Sequence, residues 1–230
     1  MKNAFYDTSL TAAQWELIEP LMSAAAQELS ALENRLPPLR RWSLEGLLDL
    51  FNDALRSVVR AMNGKRSRRT ASVIDSQTVR RDPHGGEVGY DAAKKTKGRK
   101  RFLCMDTLGL ILNVVLVPAK TTEREGAKVL LERVLERHSW LRKIWADGGF
   151  QGPDFVRRVK AHRPKADGEI IRRCDNVAGF RVLPKRRVVE RTFGWLSPNR
   201  RLVRDYEKTT RSARAWILLA ITRLMLRRIS

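Results

Sequence analysis

Cysteine is nearly missing from this chain: 230 residues hold two, Cys104 and Cys174. They lie far apart and match neither a zinc-ligand spacing nor a disulfide framework. Both read as small apolar fillers of a reduced, cytoplasmic protein. Histidine is also scarce, and His84, His138 and His162 lack metal-ligand spacing, so all three read as structural or surface residues. No apolar run approaches the ~18 residues that suggest a membrane span. The stretch Ala215–Leu226 is too short and is broken by Thr222 and Arg223. The N-terminus has no charged-then-apolar signal pattern, because Asp7 and Glu16 interrupt it. Internal repeats and low-complexity tracts are absent.

Acid is the remaining shortage. The 25 Asp and Glu face 46 Lys and Arg, a formal charge of +21. Such a field attracts polyanions. The basic residues are spread along the chain, with runs at Lys65–Arg69, Lys94–Arg101, Lys185–Arg187 and Arg200–Arg204. A long track for phosphates is the simplest use of charge spread this way. The 43% hydrophobic content is that of a globular chain, so a packed core is expected beneath the positive surface.

The periodicity divides the chain. Leu10–Met22 predicts a helix, with Trp15, Ile18 and Met22 on one face. Residues 23–40 lose the pattern, and Pro37 and Pro38 break it. A second helix is expected from Ser43, with Leu44, Leu47, Leu48, Phe51, Leu55, Val58 and Val59 in helical register. Residues 1–60 thus form a helical N-terminal region, 61–70 a basic linker around Gly64, and 71–230 a second domain.

In that second domain Ser72–Val79 predicts a strand that carries Asp75, and Arg80–Lys100 a basic polar loop. Arg101–Asp106 and Leu110–Val117 flank Thr107-Leu108-Gly109 as a hairpin. Thr122 and Glu125 have capping-box spacing at the head of a helix. Lys143–Ala146 predicts a strand ending at Asp147. Pro153–His162 reads as a helix, Ile170–Arg172 and Phe180–Leu183 as short strands, and Val188–Leu196 and Arg211–Arg228 as helices. This order implies an α/β fold, a mixed sheet with flanking helices.

Three acids stand out. Asp75 follows the apolar Ser72-Val73-Ile74, where a lone charge is costly unless compensated. Asp147 follows Ile144-Trp145-Ala146 and precedes Gly148-Gly149, which allow close backbone approach. Glu190 lies on a helix between Val188-Val189 and Phe193. Carboxylates gathered at one point hold the paired divalent ions of phosphodiester chemistry. Each acid also has an ordinary reading: a turn cap for Asp75, an Asp-Gly turn for Asp147, an exposed helical pair for Glu190.

Longer motifs go further. Ile74-Asp75-Ser76-Gln77, Gly89-Tyr90-Asp91-Ala92-Ala93-Lys94-Lys95, Lys97-Gly98-Arg99-Lys100-Arg101 and Asp106-Thr107-Leu108-Gly109 occur in that order. Trp145-Ala146-Asp147-Gly148-Gly149, Val188–Leu196, Arg200-Arg201-Leu202 and Asp205-Tyr206-Glu207 come after them. Over roughly residues 71–228 the chain resembles the DDE transposases of bacterial insertion sequences, in the insertion-sequence-five and insertion-sequence-four groups. The resemblance implies a ribonuclease-H-like core and a catalytic, metal-binding triad of Asp75, Asp147 and Glu190. It implies two Mg²⁺ ions, with Mn²⁺ as a substitute. The implied partners are double-stranded DNA, as the element's terminal inverted repeats and as target, and a second copy of the chain on that DNA. The place of action would be the bacterial cytoplasm, at the nucleoid.

Lys94, Lys95, Lys97, Arg99, Lys100 and Arg101 are expected along the DNA, since so dense a run leaves little room for burial. Arg186, about one helical turn before Glu190, matches an arginine of a related transposase group, though Leu183 and Ser197 replace that signature's tyrosine and lysine. Trp145 and Trp195 are expected to pack rather than stack on bases. Arg41-Trp42 and Asn52-Asp53-Ala54-Leu55-Arg56 resemble the end of the family's N-terminal DNA-binding region. The stretch between is shorter than in relatives, so the copy reads as internally shortened. Two other readings compete: a catalytically inactive DNA-binding remnant or repressor, and a nuclease that cuts without joining ends.

Overall fold

The computed structural model describes residues 38–44, 46–68, 70–83, 86–150, 153–171 and 184–229, with Glu16, Glu19 and Pro20; for Pro38, Pro153 and residues 184–186 it describes the backbone alone. The expected strand Phe180–Leu183, His84 and Cys174 lie outside them, as does the expected helix Leu10–Met22 apart from those three positions.

Pro38, expected as part of a break, lies in a helix. Helix α1 spans Pro38–Leu44 and α2 spans Leu47–Met62. Gly46, at φ 73°, separates the two helices, so the single helix expected from Ser43 is instead a helix end and a new start. Helix α2 does not stand apart from the sheet and the C-terminal helix. Leu48, Leu55 and Val59 enter one apolar core with residues of both. Asn52 Nδ2 donates to Leu218 O (3.2 Å), and Asp49 takes a bidentate Arg214 (2.6 and 2.7 Å) as well as Arg137 (2.7 Å). These arginines hold the Asp49 carboxyl below its ordinary range against the opposing effect of burial. The linker at 61–70 therefore does not separate two cores.

The sheet is built from β1 (Ala71–Arg80), β2 (Gly89–Asp91), β3 (Thr96–Asp106), β4 (Ile111–Pro118), β5 (Lys143–Asp147) and β6 (Asp167–Ile171). Its order is β2-β3-β1-β5-β6, with β4 also on β3. Strand β3 runs antiparallel to β1, β2 and β4, while β1, β5 and β6 run parallel. Between β4 and β5 lies α3 (Glu123–Arg137), whose Thr122–Glu125 capping box forms as expected. Then come α4 (Pro153–His162), α5 (Pro184–Leu196), α6 (Arg200–Val203) and α7 (Thr210–Leu226).

Alternation along the strands sends side chains to two cores. Ile74, Phe102, Cys104 and Val115 face α3 and α4; Val73, Leu103, Met105 and Val114 face α2, α5 and α7. This is a ribonuclease-H-like mixed sheet with helices on both faces. Strand β3 is buried from Gly98 to Asp106 because both of its sides are covered. The expected loop at 80–100 is thereby corrected: Gly89–Asp91 and Thr96–Lys100 are strand around a turn at 92–95, since backbone pairing and two covered faces outweigh the polarity of Arg99 and Lys100.

Candidate active site

The parallel pairing of β1 with β5 reaches Ile74 opposite Ala146. The next register positions are Asp75 and Asp147, at the carboxyl end of β5, and alternation turns both to the same face. Asp75 is largely shielded, its Oδ1 accepting the Ser76 N–H at 2.7 Å. Burial pushes its carboxyl up to about 7; the charges of Asp147 and Glu123 add to the rise, and the Ser76 N–H and Lys94 oppose it. Asp147 Oδ1 accepts the Gly149 N–H at 2.9 Å, which turns the chain sharply after the strand.

Glu123, the first residue of α3, is the acid that the sequence did not single out. A Cβ at Gly149 would lie 3.2 Å from Asp147 Oδ1 and 3.4 Å from Glu123 Cγ, so the two carboxylate side chains flank that glycine. Lys100 Nζ holds Glu123 Oε1 at 3.2 Å and Asp91 at 3.6 Å, and donates to Thr121 O. The only local signal was an acid at a helix start, which capping explains without any further role.

Glu190 lies on α5, which packs against β1. Val189, Thr192 and Leu196 are the buried side of this helix, while Glu190 is exposed. Thr192 Oγ1 reaches Gly109 O at 3.0 Å, and a Cβ at Gly109 would meet that hydroxyl at 2.7 Å; at φ 81° the position suits glycine alone. Asp75 and Asp147 are thus neighbours, and Glu190 stands on the helix that packs against the strand of Asp75. Among the described residues, no three His, Cys, Asp or Glu side chains are grouped to hold a metal ion.

The basic run divides. Lys94, Lys95 and Lys97 are exposed, but Arg99, Lys100 and Arg101 are only 2, 5 and 2% exposed. The expectation that all six face DNA is corrected for these three. Each cation has internal acceptors that offset its desolvation. Arg99 donates to Asp205 Oδ2 (3.0 Å), Lys100 sits between Asp91 and Glu123, and Arg101 donates to Leu202 O (2.8 Å). Burial pulls the Arg101 pKa down to about 10. The side chain of Arg186 lies outside the described residues.

Trp195 packs, as expected, against the Gly109 turn. Two guanidiniums also face its ring, Arg191 at 5.0 Å and Arg228 at 4.0 Å from the centroid. Trp145 is half-buried and donates to Glu169 at 3.0 Å. His138 is buried and His162 exposed, each near a backbone carbonyl. No helix among the described residues is long and apolar enough to cross a membrane.

Several solved structures are similar in part. The catalytic core domain of BIV integrase aligns at 12% identity over 64% of this chain and 81% of its own, with a TM-score of 0.39. The piggyBac transposase synaptic complex with hairpin DNA aligns at 14% identity over 49% of this chain and 24% of its own, at 0.30. The mariner Mos1 paired end complex with Mg aligns at 16% identity over 97% of this chain and 71% of its own, at 0.35. No curated protein matches the chain. Residues 66–225, from the end of the basic linker into the last helix, match the family described as the transposase DDE domain, and the chain belongs to that family.

Proposed function

We propose that this transposase cuts DNA at the terminal inverted repeats of an insertion sequence of the insertion-sequence-five group and joins the freed ends to target DNA. Asp75, Asp147 and Glu190 are its catalytic acids. The observation that carries this reading is the juxtaposition of Asp75 and Asp147 on adjacent parallel strands within the family match.

The residues fit a divalent cation. Two carboxylates turned to one face at the end of a sheet, one of them desolvated, repel each other when both are ionised. A cation of the opposite sign removes that cost, and hard oxygen donors suit Mg²⁺ or Mn²⁺. Asp75, Asp147 and Glu190 would hold it. When bound, it supplies Lewis-acid chemistry: an activated oxygen nucleophile and a stabilised leaving oxygen.

The chain's own groups set the stage. The Gly149 N–H fixes Asp147, the Ser76 N–H fixes Asp75, and Lys100 restrains Glu123 beside them. Exposed Lys94, Lys95 and Lys97 attract phosphates. In the first step water adds to phosphorus, the P–O3′ bond breaks, and a 3′-hydroxyl is left. In the second that hydroxyl adds to a target phosphodiester and displaces another 3′-oxygen. Two ends are processed together, which calls for a homodimer on double-stranded DNA in the bacterial cytoplasm. The helices before residue 60 represent a shortened end-binding region.

The test is incubation of purified protein with terminal-repeat DNA, with and without Mg²⁺. Metal-dependent nicking that Asp75→Ala and Asp147→Ala abolish, with DNA still bound, supports the proposal; retained cutting by either variant refutes the assignment. A second reading is a DNA-binding remnant or repressor derived from a transposase. It expects binding and no cutting by the parent.

A further inference from the structure

Two tyrosine rings are open to water: Tyr90 is 56% exposed and Tyr206 43%. Tyr90 pairs with Lys97 across β2 and β3, so the two side chains leave the sheet on one face. Counting alternation along β3 through the register Leu103–Asp75, that face is also the face of Asp75.

One buried guanidinium ties the tyrosine-bearing segments together. Arg99 Nε donates to Glu87 O (2.9 Å), Nη1 to Asp205 Oδ2 (3.0 Å) and Glu207 O (2.9 Å), and Nη2 to Lys208 O (3.0 Å). Gly86 N donates to Glu207 O, and a Cβ on Gly86 would lie 1.7 Å from Lys208 O, so the backbones touch. The two tyrosine-bearing segments are therefore tied to one base, and Tyr90 stands beside exposed Lys97. Six residues of β3 separate Lys97 from Leu103, the partner of Asp75, or about 20 Å at ~3.4 Å per residue. That is the length of about six stacked nucleotides.

We propose that Tyr90, Lys97 and Tyr206 form a platform on which unpaired bases of a DNA strand stack, a few nucleotides from the cut. Duplex DNA offers phosphates to lysines but keeps its base faces stacked internally. Exposed rings beside lysines fit a strand whose bases are open. The proposal rests on DNA being the substrate, and adds a preference for single-stranded segments.

The experiment uses the full chain in EDTA, so that no cutting is needed, and compares a single-stranded oligonucleotide with the duplex of the same sequence. Tyr90→Ala is expected to weaken single-strand binding about 5- to 150-fold, the range that one stacked base contributes. Tyr90→Phe should retain the affinity, and duplex binding should be unchanged by either. Tyr206→Ala should act in the same direction. Lys97→Ala should weaken single-strand binding and flatten its salt dependence by about 0.7 in log–log slope. Unaltered single-strand affinity in both alanine variants overturns the proposal, as does equal loss on both DNA forms or a loss in Tyr90→Phe as large as in Tyr90→Ala. A parent that stacks single strands yet never cuts with Mg²⁺ refutes the transposase activity and leaves the platform standing.

Discussion

Replacing Asp75 by asparagine should make the metal-free protein more stable. The Asp75 carboxyl is pushed from 3.8 up to about 7, chiefly by burial and then by the Asp147 and Glu123 charges. A raised carboxyl means that the folded state holds a proton which the unfolded chain releases. Folding stability therefore falls as pH rises from about 4 through about 7, and the full cost is present above that. At ~1.36 kcal/mol per unit the ceiling is about 4 kcal/mol, and the partial exposure of the side chain reduces this to roughly 2. Asparagine keeps an oxygen for the Ser76 N–H and removes the charge. Urea unfolding in EDTA at about pH 8 should show Asp75→Asn more stable by roughly 2 kcal/mol, an advantage that shrinks as the pH is lowered to about 5. Added Mg²⁺ should stabilise the parent and not the variant. A variant no more stable than its parent at about pH 8, or a gap that does not change with pH, would refute the reasoning.

Other perturbations have separate outcomes. Asp106→Ala strands the buried Arg60, whose Nη1 lies 2.6 Å from the carboxylate, and frees the N–H groups of Leu108 and Leu110. Thermal unfolding should reveal a loss of about 3–5 kcal/mol. Gly126→Ala should destabilise α3 on the sheet by about 1–3 kcal/mol despite alanine's better helix propensity, because its Cβ would lie 2.1 Å from the Phe102 ring; equal or higher thermal stability contradicts the packing. Thr122→Ala removes the capping box and should cost about 0.5–2 kcal/mol in denaturant unfolding.

Local chemistry was legible wherever it acts over a few residues. The Thr122–Glu125 box, the Asp147-Gly148-Gly149 turn and the stripe Ala127, Leu130, Leu131 and Val134 all form where their spacing predicts. The strands bearing Asp75 and Asp147 were legible too, through short apolar runs ending in an acid. The reading of 94–101 as DNA contacts failed for Arg99, Lys100 and Arg101. Charge in sequence says nothing of partners such as Asp205, more than a hundred residues away. The partners of the motif Asn52–Arg56 were not legible either: it forms a helical seam, with Asn52 on α7, Asp53 on Arg137, and Arg56 beside Asp53.

By itself, then, the order of residues determined the periodicities, the caps, the excess of positive charge and the family motifs, because these depend on neighbours within a turn or a strand. Only tertiary packing decided that Asp75 meets Asp147, that Glu123 joins them, and that three cations of a basic run turn inward while Lys97 and two tyrosines face water. Those outcomes depend on desolvation and on charges brought together by strand pairing, and no local window of sequence contains both partners.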